Sequence, residues 1–151
     1  VITGGMAAAR ASLKTAIENN MAKVTGFPAT VGVTPSATYA ATSATITNYI
    51  DLVLASFDAA ATDNDKLAII MKEYYLSTWG NGWEAYNAYR LTGYPKNMQP
   101  TVYSANPGFF VRSFYYPSVY VNRNLNAPAQ KALGAKVDKV FWDNNADNFI
   151  N

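Results

Sequence analysis

Thr62-Asp63-Asn64-Asp65-Lys66-Leu67-Ala68-Ile69-Ile70-Met71-Lys72-Glu73-Tyr74-Tyr75-Leu76, followed by Asn81-Gly82-Trp83-Glu84-Ala85-Tyr86-Asn87-Ala88-Tyr89-Arg90-Leu91-Thr92-Gly93-Tyr94-Pro95, is the stretch that decides the fold. The Thr62 hydroxyl can cap free amides, and Asp63 and Asp65 in the first turn suit the positive end of a helix dipole. That third helix of the chain continues to Trp79. Apolar residues fall on nearly all its faces, which predicts burial within an assembly of helices. A fourth helix begins at Asn81, with Glu84 three residues on as an approximate capping box. Gly93, free to take a positive φ, and Pro95, which cannot continue a helix, end it.

Upstream, Ile46, Tyr49, Ile50, Val53, Leu54 and Phe57 fall at i, i+3, i+4, i+7, i+8 and i+11, one apolar stripe of a second helix that Ser43 or Thr45 can cap. Met6, Ala9, Leu13, Ala16, Ile17 and Val24 recur near a 3.6 period and predict a first helix over 5–23, closed by Gly26 and Pro28. Thr25 to Thr42 then reads as a long loop. Val24 to Ile50 carries no charge over 27 residues, but its two Pro, two Gly and seven Thr mark it as polar chain rather than a membrane helix.

Downstream of Pro95 the periodicity fades. Residues 96–128 hold four Pro and a dense aromatic group, Tyr103, Phe109, Phe110, Phe114, Tyr115, Tyr116 and Tyr120. Short strands over 109–115 and 118–122, or irregular chain wrapped on helices, both fit this composition. A short helix over 128–135 and a last apolar segment from Val137 to Trp142 complete the reading. The architecture expected is mainly α, two antiparallel helix pairs over 1–95 and an irregular aromatic region over 96–151 packed on them, with at most short strands.

Composition narrows function. The chain has 151 residues, is half hydrophobic and 15% charged, so it is no disordered chain. Twelve Lys and Arg against ten Asp and Glu leave a net +2, too balanced for a phosphate-neutralising surface, and nucleic acid is not expected as a partner. There is no Cys and no His. Thiol chemistry, zinc-thiolate sites, zincin motifs and His-based triads are therefore excluded within this chain. Twenty-one aromatics and fifteen Asn supply flat rings and amide groups of the kind sugars prefer, though large aromatics are also ordinary core material.

Three ordered blocks resemble the SusD/RagB family, the surface glycan-binding lipoproteins of Bacteroidetes outer membranes. The family's helix of the form KL..I..QKY is similar to Lys66-Leu67-Ala68-Ile69-Ile70-Met71-Lys72-Glu73-Tyr74. Its G.EAW..YRRTGYP is similar to Gly82 through Pro95. An Arg-rich turn into YP followed by Asn resembles Arg112-Ser113-Phe114-Tyr115-Tyr116-Pro117 with Asn124-Leu125-Asn126, and a closing KVWWD resembles Lys139-Val140-Phe141-Trp142-Asp143. Leu91 and Ser113 stand where the family has Arg, and Tyr120 where a Glu is usual. The resemblance implies the C-terminal part of a longer protein with TPR-like helix pairs. It implies a lipid anchor outside this chain, an outer-membrane surface location, and a TonB-dependent transporter as partner to which oligosaccharides are handed. Val1 is expected to follow a processed or truncated segment that carried the targeting signal.

The candidate ligand contacts are Trp83, Tyr103, Phe109 and Phe110. Trp83, Tyr86, Asn87 and Arg90 share i, i+3, i+4, i+7 spacing. They read either as a sugar platform or as a packed helix face with Arg90 stacked on Tyr86. Tyr103, Phe109 and Phe110 flank the Asn106-Pro107-Gly108 turn, and serve either as sugar-facing rings or as core anchors. Asp143, Asn145 and Asp147 have the first spacings of a calcium loop but lack its Gly and closing Glu, and a solvated tail is expected instead; no metal or cofactor is expected. The three Glu (Glu18, Glu73, Glu84) lie on three different helices, with nothing to pair them as hydrolase carboxylates. No catalytic residue is assigned. A non-catalytic oligosaccharide-binding protein is the expected function, with a TPR-like protein-interaction module as the alternative.

Overall fold

The computed structural model describes residues 5–38, 40–99, 102, 112–131, 139–143 and 145–146. Among them are five helices and no strand: α1 (Gly5–Thr30), α2 (Ser43–Ala59), α3 (Asp63–Ser77), α4 (Gly82–Thr92) and α5 (Ser118–Arg123). The mainly α reading holds. The chain divides into two compact units, Val1–Asn81 and Gly82–Asn151.

In the first unit α1, α2 and α3 pack on one another, a three-helix assembly. The α2 stripe performs as its spacing requires. Ile50, Val53, Leu54 and Phe57 are buried together with Leu13 and Ile17 of α1, and Ala9, Met21, Ile46, Tyr49, Ile69 and Ile70 close around them. Each such side chain contributes about 1.5–3 kcal/mol of burial. Contacts between opposite helix ends show the antiparallel order. Arg10 near the start of α1 donates to Asp58 near the end of α2, at 2.7, 3.0 and 2.8 Å. Lys66 at the start of α3 lies 5.8 Å over the Phe57 ring. The Arg10–Asp58 pair is half exposed and so fixes geometry more than stability.

Several local expectations are corrected. Gly26 and Pro28 do not stop α1, which runs to Thr30. Pro28 removes one amide donor, from Val24's carbonyl, in a turn where Val24 itself is exposed. Thr25 Oγ1 donates to Met21 O (2.7 Å) and Thr30 Oγ1 to Phe27 O (2.7 Å), tying the last turns together. The stop comes at Gly32, with φ +70°: Val33 N donates to Pro28 O (2.9 Å) and Gly32 N to Ala29 O (3.3 Å), a Schellman closure. The loop into α2 is accordingly shorter than Thr25 to Thr42.

The cap of α2 is Thr42, one residue before the expected Ser43. Thr45 N donates to Thr42 Oγ1 (3.2 Å) and Thr42 N to Thr45 Oγ1 (2.9 Å), so the expected Thr45 is the reciprocal partner. At α3 the reading is borne out: Asp65 N donates to Thr62 Oγ1 and Thr62 N to Asp65 Oδ2, both 3.1 Å. However, α3 ends at Ser77, and it is not buried all round. Only Glu73 is fully buried, while Leu67, Tyr74 and Leu76 are exposed, as is Trp79 beyond the helix. Two helices offer a third one only a single groove, so its remaining apolar positions stay outside.

In the second unit α4 ends as expected. Gly93 adopts φ +71° and its amide donates to Tyr89 O at 2.8 Å. The strand considered over 118–122 is instead the six-residue α5, led by Pro117, whose carbonyl accepts from Tyr120 N (2.9 Å) and Val121 N (3.2 Å). The helix considered over 128–135 lies mostly outside the described residues; its described part, 128–131, is not helical. Among the described residues of this unit Tyr89, Arg112, Ser113 and Asp143 are buried, three of the four polar.

Candidate functional site

The face of α4 expected to act as one divides in two. Trp83 is 71% exposed, and Asn87 and Leu91, each a turn further on, are exposed as well. Tyr86 and Arg90 turn inward and are half-buried, because residues three apart lie about 60° apart around a helix. The stacked arrangement is the one adopted by Arg90. Its guanidinium carbon lies 5.2 Å from the Tyr86 ring centre and 4.7 Å from that of Trp142. Cation–π attraction to two rings then favours the charged group where water is scarce. Arg90 Nε and Nη2 are both shielded from solvent and have no hydrogen-bond acceptor among the described residues.

The chain around Asp143 holds this end of α4. Asn145 Nδ2 donates to the Arg90 carbonyl (3.1 Å), one of the last-turn oxygens that a helix leaves unpaired. Thr92 Oγ1 donates to Ala88 O at 2.7 Å. Arg112, 1% exposed, donates through Nε to Asp143 Oδ2 (2.8 Å) and through Nη2 to Asp143 Oδ1 (2.5 Å). It also donates to the carbonyls of Ala146 (3.0 Å) and Asn145 (3.5 Å). Asn145 N donates to Asp143 Oδ1 (3.2 Å), and Lys139 Nζ to Asn145 O (2.7 Å). These bonds from Arg112, with help from the Asn145 amide and opposed by burial, hold the Asp143 carboxyl below the usual aspartate range; Arg90 adds a smaller pull.

Asp143 is thus no member of a solvated tail. It is the buried counter-ion of Arg112. Asp147 lies outside the described residues. Sequence pattern missed the pair because 31 residues separate its members, although each stands in a separate block of the family resemblance. Beside it, Lys131 Nζ donates to Ser113 Oγ (3.0 Å) and lies 4.9 Å over the Tyr116 ring. Gln130 bridges the Tyr116 backbone, accepting from its N (3.0 Å) and donating to its O (2.9 Å).

Of the four expected ligand contacts, Trp83 is solvent-facing, as a contact residue must be. Tyr103, Phe109 and Phe110 lie outside the described residues. The first unit holds one polar feature of its own. Tyr49 Oη donates to Glu73 Oε2 at 2.6 Å, while Glu73 Oε1 has no hydrogen bond and faces Lys72 Nζ at 3.6 Å. Burial foremost, then the bond to Glu73 and its charge, push the Tyr49 phenol above its ordinary value.

The described residues thus comprise a three-helix core, the buried Arg112–Asp143 pair and a solvent-facing Trp83. The family model described as SusD-like, Susd and RagB outer membrane lipoprotein, matches residues 8–143. The chain belongs to this family. No curated protein matches it, and no solved structure does. No helix among the described residues is long and apolar enough to cross a membrane.

Proposed function

We propose that this chain serves a non-catalytic nutrient-binding protein that captures oligosaccharides at the outer-membrane surface. It works with a TonB-dependent transporter and is held there by a lipid anchor outside this chain. The observation that carries the reading is the family match across residues 8–143, whose members are outer-membrane lipoproteins. Trp83, with Asn87 one turn on, is the described pair assigned to the ligand: an exposed indole face for a pyranose ring beside an amide that both donates and accepts. Tyr103, Phe109 and Phe110 are assigned with them on the sequence pattern alone.

Calorimetric titration of the full chain with a panel of oligosaccharides and, separately, with peptides tests the assignment. Saturable saccharide binding is expected, weakened roughly five- to tenfold by Trp83→Ala, the loss of about 1–1.4 kcal/mol of ring contact. Saturation by peptides alone would sink the glycan reading and leave a helical protein-interaction module.

A further inference from the structure

We propose that the Nε/Nη2 edge of Arg90 is a receptor for a carboxylate, and that its ligand is an acidic saccharide, a uronate. The inference rests on the glycan reading above and narrows it to a chemical class. Its ground is a pair of orphaned donors: Arg90 Nε and Nη2 are out of water and meet no acceptor among the described residues. Buried guanidinium donors left unpaired are costly, so such an edge calls for an acceptor. Nε and Nη2 point the same way, and two parallel N–H groups match the two oxygens of a carboxylate.

The same unit shows how that edge is filled elsewhere. Arg112 uses its Nε and Nη2 on the two oxygens of Asp143, at 2.8 and 2.5 Å. Asp143 accepts from Arg112 through both of its oxygens and from the Asn145 amide through Oδ1. Residues 82–151 carry seven Lys and Arg against four Asp and Glu, whereas 1–81 carry five against six. The charge excess of the whole chain therefore lies in the unit that holds Arg90.

The Trp142 indole, 57% exposed, lies 4.7 Å from the guanidinium carbon. The Tyr86 ring, four residues back on the same helix, lies 5.2 Å from it. Arg90 is also tied through its own carbonyl to Asn145.

The test follows the arginine Nε–H resonances of the ¹⁵N-labelled full chain during addition of D-glucuronate, its methyl ester, D-glucose and acetate. The Arg90 signal is identified by its absence in Arg90→Lys, which keeps the charge but loses the two-pronged edge. Glucuronate should shift that signal saturably. The ester, glucose and acetate should bind at least tenfold more weakly, and Arg90→Lys should lose glucuronate binding by a similar factor. An unmoved signal with glucuronate overturns the proposal, and so does an equal response to the uncharged ester. An equal response to acetate overturns the saccharide assignment. Should Arg90→Lys fail to fold, site-specific ¹⁵N labelling of Arg90 in the unaltered chain identifies the signal instead. Neutral oligosaccharides that bind while glucuronate does not would remove this inference alone; no saccharide binding of any kind would remove the glycan reading with it.

Discussion

Replacing Asp143 with Ala removes the only carboxylate that Arg112 holds among the described residues, while leaving the guanidinium where water cannot reach it. Side-chain exposure in the pair is 1% for Arg112 and 2% for Asp143, and the two bonds measure 2.8 and 2.5 Å. Breaking a buried pair from one side costs about 3–5 kcal/mol. Arg112 keeps the carbonyls of Ala146 and Asn145, so the lower end, about 3 kcal/mol, is expected. That is a large share of the roughly 5–15 kcal/mol that holds a domain folded.

Urea unfolding followed by circular dichroism and by tryptophan fluorescence measures it. With slopes of about 1–3 kcal/mol/M, the midpoint of the unit containing Asp143 should fall by about 1–3 M. Arg112→Met combined with Asp143→Leu should recover most of the loss, since a buried ion pair replaced whole by apolar side chains is often near neutral. A cost below about 1 kcal/mol for Asp143→Ala, or a double variant as unstable as the two single losses added, would refute the reasoning. The pH dependence has a definite sign. A carboxyl held low in the folded state favours folding above its unfolded value of about 3.9 and loses that contribution as the pH falls through the folded value. The double variant should therefore lose less stability on acidification than the natural chain.

Three further outcomes are expected. Tyr49→Phe leaves the buried Glu73 side chain without the one hydrogen-bond donor it has among the described residues and should cost about 1–3 kcal/mol by urea titration. Ultraviolet titration should show one tyrosine that stays protonated beyond the ordinary value of about 10, with its contribution to folding lost as the pH rises through that region; its disappearance in Tyr49→Phe identifies it. Phe57→Ala, at the centre of the three-helix core and 2% exposed, should cost about 3–5 kcal/mol by the same unfolding assay. Gly32→Ala meets nothing within 4 Å, so its whole cost is the positive φ, about 1–2 kcal/mol, read as a lowered urea midpoint.

Much of the helical half was legible in the residues. The α2 stripe, the Thr62–Asp65 box and the Gly93 stop are local, each written within a few residues, and each stands where its spacing put it. The errors were equally local in origin. Pro28 predicts a stop because a proline removes a donor, yet the helix runs past it and closes at a glycine in the C′ position, Gly32. Apolar residues around α3 were read as buried, but periodicity counts faces and does not say how many neighbours will cover them.

By itself the sequence determined the class of fold, the helix ends set by caps and glycines, and the chemistry ruled out by the lack of Cys and His. It also carried, through ordered blocks of residues, the family. Only the tertiary structure decided which polar groups meet. Arg112 with Asp143, Tyr49 with Glu73, and Arg90 with Trp142 are joined across 24 to 52 positions of chain. A helix period registers neighbours three and four residues away. Pairing at longer range depends on how separate segments are brought together and on the burial that follows, which turns an ordinary aspartate in an Asn-rich segment into the anchor of a unit.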